Sequence, residues 1–306
     1  VEVLRYKVPR FEDLSLTQKE LIYYLSQAAL EGRDTLYDQN NKYNLSIRKT
    51  LEAIYENYKG DRNDKEFLAL ECYLKRVWFS NGIHHHYATD KFTPEFSENF
   101  FETTVRSLPS NTLPIQAYDN SVEKLIAAIK PVIFDSTLYA KRVNQNEDID
   151  LVKNSANNYY EGVSEAEVDQ YYNSKKDPND PMPISWGLNS KLMKENGNLV
   201  EKIWKIGGMY SDAIQKIVYW LEKASKVAEN EEQQRVINSL IDYYESGDLL
   251  TFDEYSILWV KDLDSRIDFI NGFIETYGDP LGLKASWESV VNFKDFFVKN
   301  INSGCT

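Results

Sequence analysis

The sequence predicts an α+β protein that is mostly helical, with a small β element near its carboxyl-terminal end. Two observations predict this class. Apolar residues recur every three to four positions along several long segments, which is the spacing of amphipathic helices. After Asp262 the pattern changes, and the run from Arg266 to Tyr277 is rich in the aromatic and β-branched residues typical of a strand.

The first predicted helix lies near the amino terminus. Leu21, Leu25 and Ala28 are spaced to share one apolar face. A capping-box pattern that begins at Thr17 precedes them, and Gly32 is placed to end the helix.

Further helical segments repeat this pattern along the chain. Their apolar stripes cover residues 47–58, 67–78, 214–228 and 236–244. Gly60, Gly82 and Gly247 are placed to end three of them, and a capping-box pattern at Thr251 predicts one more helix start. Two segments rich in Pro, Ser, Asn and Asp, 107–120 and 175–183, are typical of loops.

The composition is that of a globular protein, with 42% hydrophobic and 27% charged residues. Acidic residues outnumber basic ones by 48 to 35, and the net charge of -13 argues against nucleic acid as a partner. No apolar run approaches the length of about 18 residues that a membrane span needs, so we expect a soluble protein. The two cysteines, Cys72 and Cys305, form no disulfide framework, which leaves the cytoplasm and the periplasm both open.

The only three histidines, His84, His85 and His86, are consecutive. Adjacent side chains point in different directions, so three neighbours are poorly placed to bind one metal ion together. We expect these histidines to pack in a loop or to cap carbonyl groups. The abundant Tyr and Trp side chains fit either a helical core or a cleft for peptides or sugars.

Several short segments resemble the dipeptidyl peptidase III family, in its bacterial, Bacteroides-type branch. The most informative are LWVKD at 258–262 and GFIETYGDP at 272–280, whose mutual spacing matches that of the family. Segments 78–87, 186–192 and 283–289 add to the resemblance, which runs from about residue 3 to residue 295. The order and spacing of these segments together make the resemblance specific.

The resemblance implies a zinc peptidase that releases dipeptides from the amino terminus of short peptides. Members of the family have two lobes around a wide cleft, and this chain corresponds to the amino-terminal part, mainly the lower lobe. We therefore divide the chain into a helical part of that lobe (1–250), a β-containing part with the substrate strand (251–295) and a tail that does not match the family (296–306).

The family's substrate-binding residues map onto five residues of the predicted strand: Asp268, Phe269, Ile270, Asn271 and Gly272. Asp268 falls where animal members have a glutamate that binds the free amine of the substrate. Ile270 falls where those members have a tyrosine, and it cannot donate the hydrogen bond that helps polarise the scissile carbonyl. Asn271 is polar but faces the opposite side of a strand. The strand backbone could also pair with an extended peptide, and a plain core strand remains an equal alternative.

The family's zinc-binding motif, His-Glu-x-x-Gly-His, does not occur in the 306 residues. We expect no catalytic residue and no zinc in this chain, although the complete family member binds zinc. Its expected partners are short peptides and the zinc-bearing lobe, together with self-association through uncovered apolar surface. The origin of the chain stays open: it could be a fragment, a truncated gene product or a degenerate relative. Two alternative functions also stay open, a non-catalytic peptide-binding protein and a glycan-binding helical protein.

Overall fold

The computed structural model describes residues 4–295 of the 306-residue chain. Helices and two small antiparallel pairings of strands make it an α+β protein, which confirms the predicted fold class. Within these residues, no helix is both long enough and apolar enough to cross a membrane.

Ten α-helices and five strands make up the regular structure of residues 4–295. The helices are α1 (Leu16–Glu31), α2 (Arg33–Asn40), α3 (Asn44–Asn57), α4 (Lys65–Ser80), α5 (Glu98–Ser107), α6 (Val122–Phe134), α7 (Glu165–Asn173), α8 (Ser211–Ser225), α9 (Glu231–Ser246) and α10 (Leu249–Lys261). The strands are β1 (Tyr160–Glu161), β2 (Ser190–Glu195), β3 (Asn198–Ile203), β4 (Ile267–Glu275) and β5 (Ser286–Phe293). Short 3-10 helices lie at Phe11–Asp13, Ser110–Thr112 and Ile115–Tyr118.

The chain packs as two compact units. The first unit contains Leu36–Glu165 and the short segment Gly278–Leu281. The second contains residues 4–35, Ala166–Tyr277 and 282–295. These units are groups of residues that contact one another, whereas the predicted boundary at residue 250 separates types of secondary structure. That boundary stays a prediction, and the tail at 296–306 lies outside the described residues.

The first unit has a continuous apolar core between its helices. Leu51 and Ile54 of α3, Leu74 of α4, Phe101 of α5 and Ile129 of α6 are completely buried. Burial of one such side chain stabilises a fold by about 1.5–3 kcal/mol. Most residues of the predicted apolar stripes therefore lie on the inward faces of the helices, but Trp78, at the end of the stripe 67–78, is 41% exposed.

The second unit combines helices with strands. Helix α1 packs against α8 and against both β4 and β5, and α9 packs against α8 and α10. Gly32 ends α1 as predicted, at a point where the Trp287 indole from β5 is so close that any Cβ would overlap it. Glycine is therefore needed at this position for close approach rather than for its backbone conformation.

The helix starts differ from the predicted capping boxes. Helix α1 begins two residues earlier than expected, with a capping box formed by Ser15 and Gln18. Thr251 lies inside α10, which instead begins after Asp248, whose side chain accepts a hydrogen bond from the Leu250 N–H. Several residues in each segment are able to cap, and spacing alone did not identify which one does.

The strands β2 and β3 form a hairpin that the sequence analysis missed. Its turn is Asn196-Gly197, and both residues have positive φ, 50° and 84°. Asn-Gly is a favoured pair for such a two-residue turn, because both residues tolerate the left-handed conformation. The part of the chain predicted to be helical thus contains a β-hairpin whose sequence signal was present.

The predicted strand near the carboxyl-terminal end is confirmed as β4. It pairs with β5 in antiparallel register from Ile267, opposite Phe293, to Glu275, opposite Ser286, with one irregularity after Phe273. This two-stranded sheet carries every residue that the sequence analysis placed in a substrate site.

Candidate functional site

The side chains of β4 alternate between two faces of its sheet. Phe269 and Asn271 are buried on one face, whereas Asp268 and Ile270 are half-buried on the other. The expectation that Asn271 faces away from Asp268 is therefore confirmed. The more accessible face is the one that carries the carboxylate.

Residues of β5 continue this accessible face, because directly opposite residues in an antiparallel pair share a face. Asn292 lies opposite Asp268, Val290 opposite Ile270, and Glu288 opposite Gly272. Val290 is 41% exposed. The face therefore presents an apolar centre with a carboxylate towards each end, an arrangement that suits a cation attached to an apolar group.

Asp268 is anchored through one of its two carboxylate oxygens. Its Oδ1 accepts a hydrogen bond from the Trp259 indole Nε1 at 3.1 Å and from the Phe269 backbone N–H at 2.8 Å. In the described part of the chain, every hydrogen bond to this carboxylate ends on Oδ1. The geometry leaves Oδ2 to accept a bond from a ligand.

Glu288, the second carboxylate of this face, lies in a less favourable environment for a charge. Partial burial and then the negative charge of Glu275 raise the pKa of Glu288 above its ordinary value. Both causes disfavour the carboxylate form. A cation bound on this face would reverse part of that effect.

Asn271 is engaged in the packing of the strand. It is 2% exposed, its Oδ1 accepts a hydrogen bond from the Tyr244 hydroxyl, and its Nδ2 donates to Ser289 Oγ at 3.3 Å. Ser289 in turn donates to the Ile270 carbonyl at 2.8 Å. These bonds give Asn271 a structural role, and its predicted contact with a substrate stays a prediction.

The edge of β4 that faces away from β5 is covered by side chains at its start. Glu229 accepts a hydrogen bond from the Ile267 N–H at 2.7 Å, and Gln233 donates to the Ile267 carbonyl at 2.8 Å. Trp259 also donates to the Phe269 carbonyl, at 2.9 Å. A peptide that added itself here as a further strand would have to displace all three side chains. The geometry thus favours binding through the side-chain face over the strand addition considered from sequence.

The sequence profile described as Peptidase family M49 matches residues 121–298, more than half of the chain. The chain belongs to peptidase family M49. This match includes β4, β5 and the motif around Trp259, so the candidate site lies in the segment that defines the membership.

Individual relatives of this M49 chain carry the name dipeptidyl peptidase 3. The protein from Dictyostelium discoideum is 32% identical over 85 residues, which are 28% of this chain and 12% of the relative. The human protein is 32% identical over 84 residues, 28% of this chain and 11% of the relative. The Nematostella vectensis protein is 20% identical over 323 aligned positions, 90% of this chain and 43% of the relative.

Two solved structures share the fold of this M49 chain. Dipeptidyl peptidase III from Caldithrix abyssi aligns with a TM-score of 0.61 at 15% identity and covers 96% of this chain and 43% of that one. The enzyme from Corallococcus sp. strain EGB also has a TM-score of 0.61, at 14% identity, over 97% of this chain and 42% of that one. The chain spans less than half the length of these relatives.

Family M49 consists of metallopeptidases, so we tested whether the described residues fit a zinc ion. The His84 Nε2 donates to the Tyr139 carbonyl at 2.7 Å, and His85 Nδ1 accepts from the backbone N–H groups of Tyr87 and Ala88. Residues 4–295 contain no group of three or more His, Cys, Asp or Glu side chains placed to hold a metal ion. The residues described here do not fit a zinc site.

The histidine cluster is confirmed as a packed loop. The pKa of His84 is lowered to about 4, mainly by burial. The hydrogen bond to the Tyr139 carbonyl acts to raise this pKa, and the nearby positive charge of Arg142 acts to lower it. His85 and His86 stack with ring centroids 4.6 Å apart. His84 is therefore a neutral core residue at ordinary pH.

The structure also joins two motifs of the M49 resemblance in a way that the sequence analysis did not predict. Ala285 N–H donates to the Leu188 carbonyl at 2.9 Å, and the Lys284 ammonium donates to Ser190 Oγ at 3.1 Å. Lys284 is fully buried and also donates to the Tyr172 hydroxyl. No local pattern reports such a contact, because its partners come from distant parts of the chain.

Glu201 of β3 completes this buried network. It accepts hydrogen bonds from Tyr172 at 2.8 Å, from Ser190 at 2.6 Å and from Lys175 at 2.6 Å. Burial acts to raise the pKa of Glu201, but the bonds from Lys175 and Ser190 and the charge of Lys284 outweigh it, so the pKa lies below the ordinary value. The carboxylate is therefore held ionised inside the second unit.

Proposed function

We propose that this chain is the peptide-binding part of a zinc-dependent dipeptidyl peptidase, with Asp268 as the residue that accepts the free amine of the peptide. Membership of family M49 supports the peptidase class, and the names of its relatives suggest release of dipeptides. The observation that carries the proposal is the geometry of Asp268, which is anchored through Oδ1 and offers Oδ2 on the accessible face of β4.

The chemistry of the face supports an amino terminus as the ligand. A carboxylate oxygen and a peptide ammonium form a charge-assisted hydrogen bond, which is stronger than a neutral one. Ile270 and Val290 lie between Asp268 and Glu288, and they offer an apolar surface to the first side chains of a peptide. Ile270 contributes contact but no hydrogen bond, so polarisation of a scissile carbonyl requires a group outside β4.

Calorimetry with a short peptide tests the role of Asp268. We expect Asp268→Asn to weaken binding of a tetrapeptide with a free amino terminus about tenfold or more, because a hydrogen bond to a charged group is worth about 1.5–3 kcal/mol. The same peptide with an acetylated amino terminus should bind the wild-type chain equally weakly. Asp264→Asn is the matched control, since it removes an exposed carboxylate three residues before β4 begins at Ile267. Equal affinities for wild type and Asp268→Asn would remove Asp268 from the proposal.

We further propose that the 306-residue chain has no peptidase activity of its own, and that zinc belongs to a lobe that these residues do not include. The disagreement between the described residues and a zinc site supports this, as does the share of the relatives that the chain covers. We expect no release of dipeptides from a chromogenic dipeptide substrate, with zinc added or chelated. Release that requires zinc and is abolished by a chelator would contradict this.

A non-catalytic peptide-binding protein would give the same result for Asp268→Asn. Addition of a zinc-bearing lobe from a relative separates this alternative from the enzyme part, since only the enzyme part would gain activity. Glycan binding, the remaining alternative, predicts a glycan-array signal without peptide binding.

Self-association also stays a prediction. Helix α10 exposes Ile257 and Val260, and Leu263 just beyond its end is also exposed; such apolar side chains drive association.

A further inference from the structure

Four aromatic side chains form a surface cluster where α1 packs against α8: Tyr23 and Tyr24 of α1, and Tyr219 and Trp220 of α8. The Trp220 ring stacks on that of Tyr24, with centroids 6.1 Å apart. It also makes T-shaped contacts with Tyr23 at 6.0 Å and with Tyr219 at 5.0 Å. Tyr23 and Tyr219 are 53% and 51% exposed. Half-exposed rings that are held by one another suit ligand binding, because they lose little freedom when a ligand arrives.

A groove of about 570 Å³ lies beside this cluster, and Tyr219 and Trp220 form its aromatic lining. The planes of these two rings are inclined at 73° to each other, so they present surfaces in two directions. The volume of the groove lies in the range of about 300–1,000 Å³ that is typical of small-ligand sites. The groove is therefore large enough for a small ligand that packs on both rings.

Polar side chains complete the lining of the groove: Glu31 of α1, and Asp212, Gln215 and Lys216 of α8. Lys216 Nζ lies 3.7 Å from Glu31 Oε2, which is too far for a hydrogen bond. Gln215 Nε2 is engaged within α8, which leaves its Oε1 as an acceptor. In residues 4–295, no hydrogen bond joins the Asp212 carboxylate or the Trp220 indole N–H to another residue. The groove thus offers both donors and acceptors to a ligand.

The charges around the aromatic lining are balanced. Glu31 and Asp212 are negative and Lys216 is positive, while the Lys223 ammonium lies over the Tyr219 ring, 4.8 Å from its centroid. A charged ligand of either sign would meet a like charge here, and a purely apolar ligand would cover polar groups without bonding to them. A neutral ligand that joins C–H faces to hydroxyl groups avoids both costs. Pyranose sugars have this construction.

From these contacts we infer that the groove beside α1 and α8 binds a neutral oligosaccharide, with pyranose rings packed on Tyr219 and Trp220. The sugar hydroxyls bond to Asp212, to Gln215 and to the Trp220 indole N–H. The inference goes beyond the proposed function, because it concerns a second site on elements other than β4. It also differs from the glycan-binding alternative above, since a chain with both sites binds peptide and glycan separately.

Titration with neutral oligosaccharides tests the inference, using the Trp220 indole resonance in 15N–1H spectra as the readout and Trp220→Phe to assign it. The panel consists of oligosaccharides of cellulose, starch, xylan and mannan. We expect at least one of them to move this resonance in a saturable way. Tyr219→Ser should weaken that binding about three- to tenfold, because one packing surface is lost.

Two further variants make the titration specific. Asp212→Ala, at an exposed position, should also weaken binding of the oligosaccharide, so the result does not depend on one variant. Tyr277→Ser is the matched control and should leave binding unchanged, because it removes a tyrosine that is 73% exposed outside the groove. If no member of the panel moves the Trp220 resonance, the inference is overturned. Equal effects of Tyr219→Ser and Tyr277→Ser would overturn it as well.

Tetramethylammonium is the probe for a cation site, the competing assignment for aromatic rings beside carboxylates. If it moves the Trp220 resonance and no oligosaccharide does, the inference is wrong.

Asp268→Asn separates the inference from the proposed function. It should weaken binding of the free-amine tetrapeptide and leave binding of the oligosaccharide unchanged. Loss of oligosaccharide binding in this variant would place the sugar at β4 and overturn the inference. Unchanged peptide binding in the same variant would overturn the proposed function alone.

Discussion

The two units of this chain bury polar side chains in different ways. In the first unit, buried amides bond to backbone carbonyls, as Asn41 does with Ala156 and Asn44 with Tyr37. In the second unit, a buried lysine and a partly buried glutamate share side-chain partners, Tyr172 and Ser190. Amide-to-backbone bonds fix the path of loops beside an apolar core, whereas the ionic network holds charges in place inside the fold.

The candidate site lies in the unit that contains this ionic network, although the first unit also buries a charge, since Arg142 donates to Asn40 Oδ1 at 2.8 Å. Asp268 and the network around Lys284 both belong to the second unit; neutral N–H donors hold Asp268, whereas the network combines neutral and charged donors. Burial of a charge is costly unless hydrogen bonds compensate for it, so such arrangements need many precise contacts. The core between the helices of the first unit is apolar.

Removal of the buried Lys284 is the strongest test of this difference between the two units. We expect Lys284→Met to lower the free energy of unfolding by about 3–5 kcal/mol. The change removes a positive charge near Glu201 and the ammonium that donates to the Tyr172 hydroxyl. Urea unfolding monitored by circular dichroism measures the loss. The double variant with Glu201→Gln should regain part of it, since the partly buried carboxylate that Lys284 helps to compensate is then gone.

A surface ion pair supplies the control for that experiment. Lys194 contacts Glu167 with both side chains about one-third exposed. We expect Lys194→Met to cost less than about 1 kcal/mol, as is usual for exposed pairs. If Lys284→Met costs no more than this, the buried network is not what distinguishes the second unit.

A smaller effect should come from the first unit, and it depends on pH. The pKa of His84 is about 4 in the folded chain against an ordinary 6.5, so the unfolded chain binds more protons between these values. Stability should therefore be complete above pH 6.5 and fall as pH drops towards 4, by at most about 3 kcal/mol. Unfolding curves at several pH values measure this, and they include the contributions of other groups.

Replacement of single histidines isolates the contribution of His84. In His84→Gln the extra loss of stability between pH 6.5 and 4 should disappear, because glutamine has no titrating ring. His86→Gln, on the exposed end of the cluster, should keep the wild-type profile. A profile unchanged in His84→Gln would show that this buried residue does not set the acid sensitivity of its unit.

Local sequence patterns predicted the features that depend on nearby residues. The inward stripes of α3, α8 and α9 and the strand β4 follow from periodicity. Gly247 ends α9 in the left-handed conformation that favours glycine, and Gly32 ends α1 in an ordinary right-handed one. The hairpin turn at Asn196-Gly197 was equally local and was overlooked, because the surrounding segments were judged by helical periodicity. The family resemblance was confirmed by the match to peptidase family M49.

Contacts between distant segments could not be predicted in the same way. The substrate site was reduced from sequence to five consecutive residues, but only the packing shows that Asp268 is held by Trp259 while Asn271 is bound to Tyr244. Likewise, Lys284 looks like an ordinary loop lysine until the fold buries it beside Ser190. Which residues bind substrate remains a prediction, since it concerns a ligand rather than the fold.

The close approach of Gly32 to Trp287 constrains how this sequence can change over time. No side chain fits at position 32 while the indole lies against that backbone, and the overlap would force one of the two segments to move. A residue larger than glycine at position 32 is therefore expected to accompany a smaller residue at position 287. The two positions, near opposite ends of the sequence, should vary together among the relatives of this chain.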